Sequence, residues 1–160
     1  METRVSKRRA GERGFSLIEL LIVIAIILII LSIALPQMSK SRMNAQEMAA
    51  VATMKTISTV ETQYMSQFGQ FATSLNQLGP ASSGGVEGPG AAALIPASLA
   101  SGVSGGYIYT VTGTPTGYSV TAVPKAFNST GRRTFYTDQS GIIRQNWSQE
   151  PATEKSDELK

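Results

Sequence analysis

Few residues in this chain have types and spacing that could do chemistry. Glu19 is the one charge between Phe15 and Leu35, a run whose last 16 residues hold 13 Leu, Ile or Val. A carboxylate in such surroundings is expensive and marks a functional position that needs a named partner. Lys125, Arg132, Arg133, Tyr136 and Trp147 combine cations with aromatic rings, the recipe for stacking on single-stranded nucleic acid. The plainer use of the same residues is edge-strand solubility and core filling, and nucleic acid is the lesser reading. Asp138 lies in a predicted turn without nearby Asp or Glu, too weak a cage for calcium. With no Cys and no His, the chain builds no zinc ribbon, thiolate nucleophile or imidazole-based triad. The remaining Ser, Thr and Tyr residues have no spacing that assigns a nucleophile and its base. The reading is a non-enzyme without cofactor or metal.

The element that carries Glu19 sets the class. Sixteen strongly apolar residues from Phe15 onward favour membrane insertion by roughly 5–9 kcal/mol, against about 3 kcal/mol for one acid placed centrally, and Glu19 is near one end. Residues 15–35 therefore read as a transmembrane helix. Residues 1–14 hold Arg4, Lys7, Arg8, Arg9 and Arg13 against Glu2 and Glu12, whereas only Lys40 and Arg42 closely follow the run. This asymmetry places the N-terminus in the cytoplasm and the bulk of the chain outside. The formal charge of +3 resides in those 14 residues, and the other 146 are neutral, which removes the main support for nucleic-acid binding. Ser32-Ile33-Ala34 offers a secretory cleavage spacing, but the apolar run is longer than an ordinary signal peptide's.

Arg13-Gly14-Phe15-Ser16-Leu17-Ile18-Glu19, behind a basic leader, resembles the class III signal of type IV prepilins and pseudopilins. The resemblance implies that a membrane-embedded prepilin peptidase cuts after Gly14 and that the new N-terminal Phe15 is methylated. The apolar run is then retained as an anchor and assembly element. It further implies that Glu19 pairs with the Phe15 amine of a neighbouring copy, neutralising both charges and setting axial register. The plainer role for Glu19 is a carboxylate snorkelling at the membrane edge.

From Phe15 to Phe68 there is no Gly and one Pro, whereas the following 92 residues hold 13 Gly. The first stretch predicts one long helix. Met43, Ala50, Met54, Ile57, Tyr64 and Phe68 form a helical stripe interrupted by Glu47 and Glu61, giving an amphipathic half over 36–68. Pro36 removes a helical hydrogen bond and should kink or locally melt the helix; in the resembled family such a Pro permits stretch and tight lateral packing. Residues 69–147 form the globular part. It opens on a surface connection with one short helix near Ala91–Leu94, followed by two hairpins. The first pairs residues 106–113 with 117–124, the second 133–137 with 141–144. Tyr107, Tyr109 and Val111 share one face, as do Tyr118, Val120 and Ala122. A sheet of about four antiparallel strands covering the helix is the expected α+β fold, matching the type IV pilin fold that the resemblance implies. Residues 148–160, charged and breaker-rich, read as a disordered tail.

The function that follows from the resemblance is structural. The subunit polymerises as a homo-oligomer into a helical filament, with assembly machinery in the bacterial inner membrane. Its destination is the pilus at the cell surface, where adhesion, motility and DNA uptake are the family's uses. A type II secretion pseudopilin in a periplasmic pseudopilus is the close alternative. A minor pilin or anchored DNA-binding competence protein is the more distant one. Unlike many pilins the chain has no cysteine for a C-terminal disulfide, so strand pairing must hold that end.

Overall fold

The computed structural model describes residues 14–82, 85–114 and 116–160. Apart from Gly14, the expected basic leader lies outside them. The chain divides into two compact units, Met1–Met38 and Ser39–Lys160. Helix α1 (Leu17–Phe68) is the first element and contains Pro36. The missing Pro N–H removes one hydrogen bond without ending the helix, so the local melting expected at this point is not seen.

In the first unit the large apolar side chains of α1 from Leu17 to Leu35 are exposed on all sides of the helix. This is the pattern of a helix meant for an apolar solvent rather than for a water-facing surface.

The second unit is an α+β assembly. The α1 residues Met43, Ala50, Val51, Met54, Ile57, Val60 and Tyr64 are buried at helical spacing, and Phe68 packs against the same cluster. The helix stops where Gly69 takes a left-handed φ of 73° while its N–H bonds the Met65 carbonyl at 2.8 Å, a C-terminal cap that glycine adopts without Cβ strain. Two one-turn helices follow, α2 (Leu75–Leu78) and α3 (Ala97–Ala100). The sheet comprises β1 (Val103–Ser104), β2 (Tyr107–Thr114), β3 (Gly117–Pro124), β4 (Thr134–Asp138), β5 (Arg144–Asn146) and β6 (Asp157–Glu158), paired antiparallel in sequence order.

The first hairpin has the expected faces. Tyr107, Tyr109 and Val111 of β2 are buried, as are Tyr118, Val120 and Ala122 of β3, and Thr114 pairs with Gly117. With Phe135 of β4 they share one hydrophobic cluster with α1. The Tyr109 and Tyr118 hydroxyls meet Thr53 and Ser58 of α1, and burial raises the pKa of both phenols.

Four expectations change. The sheet has six strands, not four. Residues 91–94 are not helical: Ala92, Ala93 and Leu94 donate their N–H groups to the carbonyls of Gln77, Gly79 and Leu78, with Ala93 at φ 52°. The helix comes later, after Pro96, whose ring presets the start of α3. The second hairpin pairs Thr134–Tyr136 with Arg144–Asn146, because residues 141–143 serve the connection. Finally, residues 148–160 are packed. Ala152 is buried, the Thr134 hydroxyl donates to the Glu150 carbonyl at 2.8 Å, and Leu159 N–H donates to Ile143 O at 2.8 Å. Composition reports how little apolar area this segment can bury, but the open edge of β5 offers it backbone partners.

Gly113 of β2 packs so closely that an added Cβ would run into the Ala72 carbonyl. Because that neighbour is backbone, relief requires a shift of the 69–74 segment. Gly113→Ala in the detergent-solubilised full chain is expected to lose about 1–3 kcal/mol of stability, read as a lowered thermal midpoint by circular dichroism.

Candidate functional site

The N-terminus of α1 brings together the residues singled out in sequence. Gly14 and Phe15 precede the helix; an added Cβ at Gly14 would meet nothing within 4 Å, and Phe15 is 88% exposed. Among the described residues nothing crowds the Gly14–Phe15 bond, which lies in non-helical backbone. Ser16 begins the helix, its carbonyl accepting the first turn's hydrogen bond from Leu20 N–H at 3.2 Å. Its own N–H donates to Glu19 Oε2 at 2.9 Å. Ser-x-x-Glu is the capping-box spacing, in which the third helical residue reaches back to an N–H that the helix leaves orphaned. The positive end of the helix dipole favours the carboxylate there. Beside the assembly role expected of it, Glu19 thus makes a local bond whose signal is the Ser16-x-x-Glu19 spacing.

A family model described as the prokaryotic N-terminal methylation motif matches residues 9–35, which include Gly14, Phe15, Glu19 and the apolar run. The chain carries a type IV pilin-like prepilin signal. No curated protein and no solved structure is significantly similar to the chain. A prepilin signal implies processing by a peptidase and handling by pilus assembly machinery, and precursors bearing one are structural proteins, usually not enzymes. The bare apolar helix behind the signal fits membrane anchoring.

The other sequence candidates have local structural jobs. Asp138 Oδ1 accepts the Ser140 N–H at 2.8 Å in the turn after β4. Lys125 is exposed at the end of β3. Arg133 and Arg132, considered for nucleic acid, instead meet Glu47, one of the two acids taken as breaks in the helical stripe. Glu47 is buried: Oε1 accepts the Arg132 N–H and Oε2 the Arg133 Nε, both at 2.7 Å. Arg133 Nη1 also donates to Gln145 Oε1 at 2.9 Å. A buried carboxylate with two such donors ties α1 to the start of β4, since loss of either partner would strand a charge. The clue was the spacing of Glu47 within the stripe, which points it inward, where a carboxylate needs donors or a proton.

Glu61 is the second acid of the stripe, also fully buried, and among the described residues it meets no cation. Its Oε2 accepts the Ala72 N–H at 2.9 Å, and its Oε1 has no partner. Burial raises its pKa from 4.5 to about 7, the Ala72 hydrogen bond opposing the rise. Between these two values the folded chain binds the proton more tightly than the unfolded one, so the stability gained by protonation is complete below about pH 4.5. It is lost as pH rises through about 7, a change on the order of 3 kcal/mol for this fully buried group. Glu61→Gln, which retains an acceptor for Ala72 but no titration, is expected to flatten that fall. Thermal midpoints of the two detergent-solubilised full chains from pH 5 to 8 measure it.

Proposed function

We propose that this chain is a structural prepilin subunit. Its leader is removed after Gly14, Phe15 is N-methylated, and the product polymerises through residues 15–35 into a type IV pilus filament. The supporting observation is a helical segment, residues 17–35, apolar on every side, whose lone carboxylate, Glu19, sits in the first turn beside the Gly14–Phe15 bond. As a monomer the helix is solvated by lipid, with the N-terminus cytoplasmic and the second unit outside the membrane. Leaving the bilayer requires exchanging lipid for other apolar surface, and further copies of the same helix supply it. Glu19 must then be neutralised, and cleavage creates the cation within the same segment, the amine of Phe15. Pro36, one hydrogen bond short, provides the point at which the helix yields during lateral packing.

Intact-mass spectrometry of native membranes and sheared surface filaments, side by side, tests the reading. A 146-residue species carrying one additional methyl and enriched in the sheared fraction is expected. The same species confined to membranes would move the assignment to a type II secretion pseudopilin. Only full-length protein, or a cut beyond the apolar run, would overturn processing altogether.

Glu19 can be tested with two substitutions that separate its local bond from its charge. Glu19→Gln keeps an acceptor for Ser16 N–H and removes the anion, whereas Glu19→Ala removes both. Both variants are expected to insert into the membrane and to cut sheared-filament yield at least tenfold. A normal yield from Glu19→Gln, with loss only in Glu19→Ala, would show that capping and not charge pairing is what assembly requires.

A further inference from the structure

The chain has a single tryptophan, Trp147, and it is left 61% exposed at the end of β5. The ring is nevertheless held in place. The Arg133 guanidinium sits 5.0 Å from its centroid and 5.5 Å from that of Phe135. That guanidinium is fixed in turn by Glu47 and Gln145. A line of charge-assisted and cation–π contacts thus runs from the buried face of α1 to an aromatic ring in water. Arg133 covers part of the ring, and most of the residue remains exposed to solvent. An ordered amphipathic ring that forgoes burial is typical of a recognition surface.

Trp147 borders a shallow, open surface depression of about 410 Å³ that Gln145, Asn146, Lys155, Ser156 and Asp157 also line. The walls mix donors and acceptors of both signs. Among the described residues neither Lys155 nor Asp157 is in an ion pair. Asn146 Nδ2 leans on the Glu150 carbonyl at 3.4 Å, leaving its Oδ1 as an acceptor.

An aromatic face bordered by a carboxylate, amides and an ammonium suits a pyranose ring. The axial C–H face of the sugar lies on the indole, and its hydroxyls, each donor and acceptor, match the mixed wall. The charge around the ring is balanced rather than cationic: Arg133, which lies over it, is paired with Glu47, Arg144 is paired with Glu158, and Glu150, Glu154 and Asp157 stand beside Lys155 and Lys160, without the cationic excess that phosphate binding needs. We propose that Trp147 and this wall form a binding subsite for one pyranose unit of a neutral polysaccharide.

Because Trp147 is the only tryptophan, its fluorescence reports the site without interference. The full chain, solubilised in a zwitterionic detergent that has no sugar headgroup, is titrated with a panel of neutral gluco-, manno- and N-acetylglucosamine oligosaccharides. A saturable emission change is expected for at least one of them, with a dissociation constant on the order of 1 mM, the regime of a single ring's contacts. Asp157→Asn and Asn146→Ala are expected to weaken it about fivefold or more, with the thermal midpoint unchanged. Trp147→Ala should abolish the heat of binding in calorimetry. Absence of a saturable response across the panel up to about 50 mM overturns the proposal. So does a response that both wall variants leave intact, which places the sugar elsewhere. A response confined to single-stranded oligothymidylate also overturns it, in favour of nucleic acid.

Discussion

Residues 17–35 expose Leu, Ile and Val around the whole circumference of α1, and no water-facing fold tolerates that. Such a surface fits membrane anchoring. The chemistry at the N-terminus depends on this constraint. In a wet environment Glu19 would be an unremarkable capping residue, its Oε2 accepting the Ser16 N–H. In an apolar one the same carboxylate requires a cation. In the function proposed above, cleavage after Gly14 would supply one as the amine of Phe15, and processing and assembly would then answer the same electrostatic need.

The second unit meets the opposite requirement, shielding one stripe of α1 from water. Sheet and helix share one cluster in which Tyr107, Phe135, Met54, Ile57 and Val120 are all fully buried. Two acids are buried with them and are handled differently. Glu47 is satisfied by the Arg132 backbone and the Arg133 side chain, and it joins elements 86 residues apart. Glu61 has one backbone donor, one orphaned oxygen and no counter-charge. Burial therefore raises its pKa to about 7, while the Ala72 N–H, which bonds the anion better than the acid, opposes the rise.

Arg133 reaches further than a core ion pair requires. Its guanidinium bonds Glu47 and Gln145 and lies over both Phe135 and Trp147, so an interior contact fixes an exterior ring. The C-terminal segment completes that surface. Although its composition is charged, β6 pairs with β5, Arg144 approaches Glu158 at 3.6 Å, and Ala152 is buried. In a chain without disulfides, these contacts hold the C-terminal end of the sheet.

Features that depend only on neighbours along the chain were legible before folding. The apolar run, the Gly14–Phe15 junction, Glu19 and the two-residue periodicity of Tyr107–Val111 and Tyr118–Ala122 are local patterns, and a helix or strand repeats them with fixed geometry. The site at the N-terminus was legible for that reason. Tertiary structure decided what depends on pairing across distance. Glu47 and Glu61 read as interruptions of a stripe because one sequence does not show whether a buried acid meets a cation. Arg133 read as a surface cation because its partner lies on α1. Residues 148–160 read as disordered because composition measures apolar content and not the unpaired backbone of a strand edge. Local periodicity selects the elements, whereas the cost of an unsatisfied charge or hydrogen bond in the interior selects how they meet.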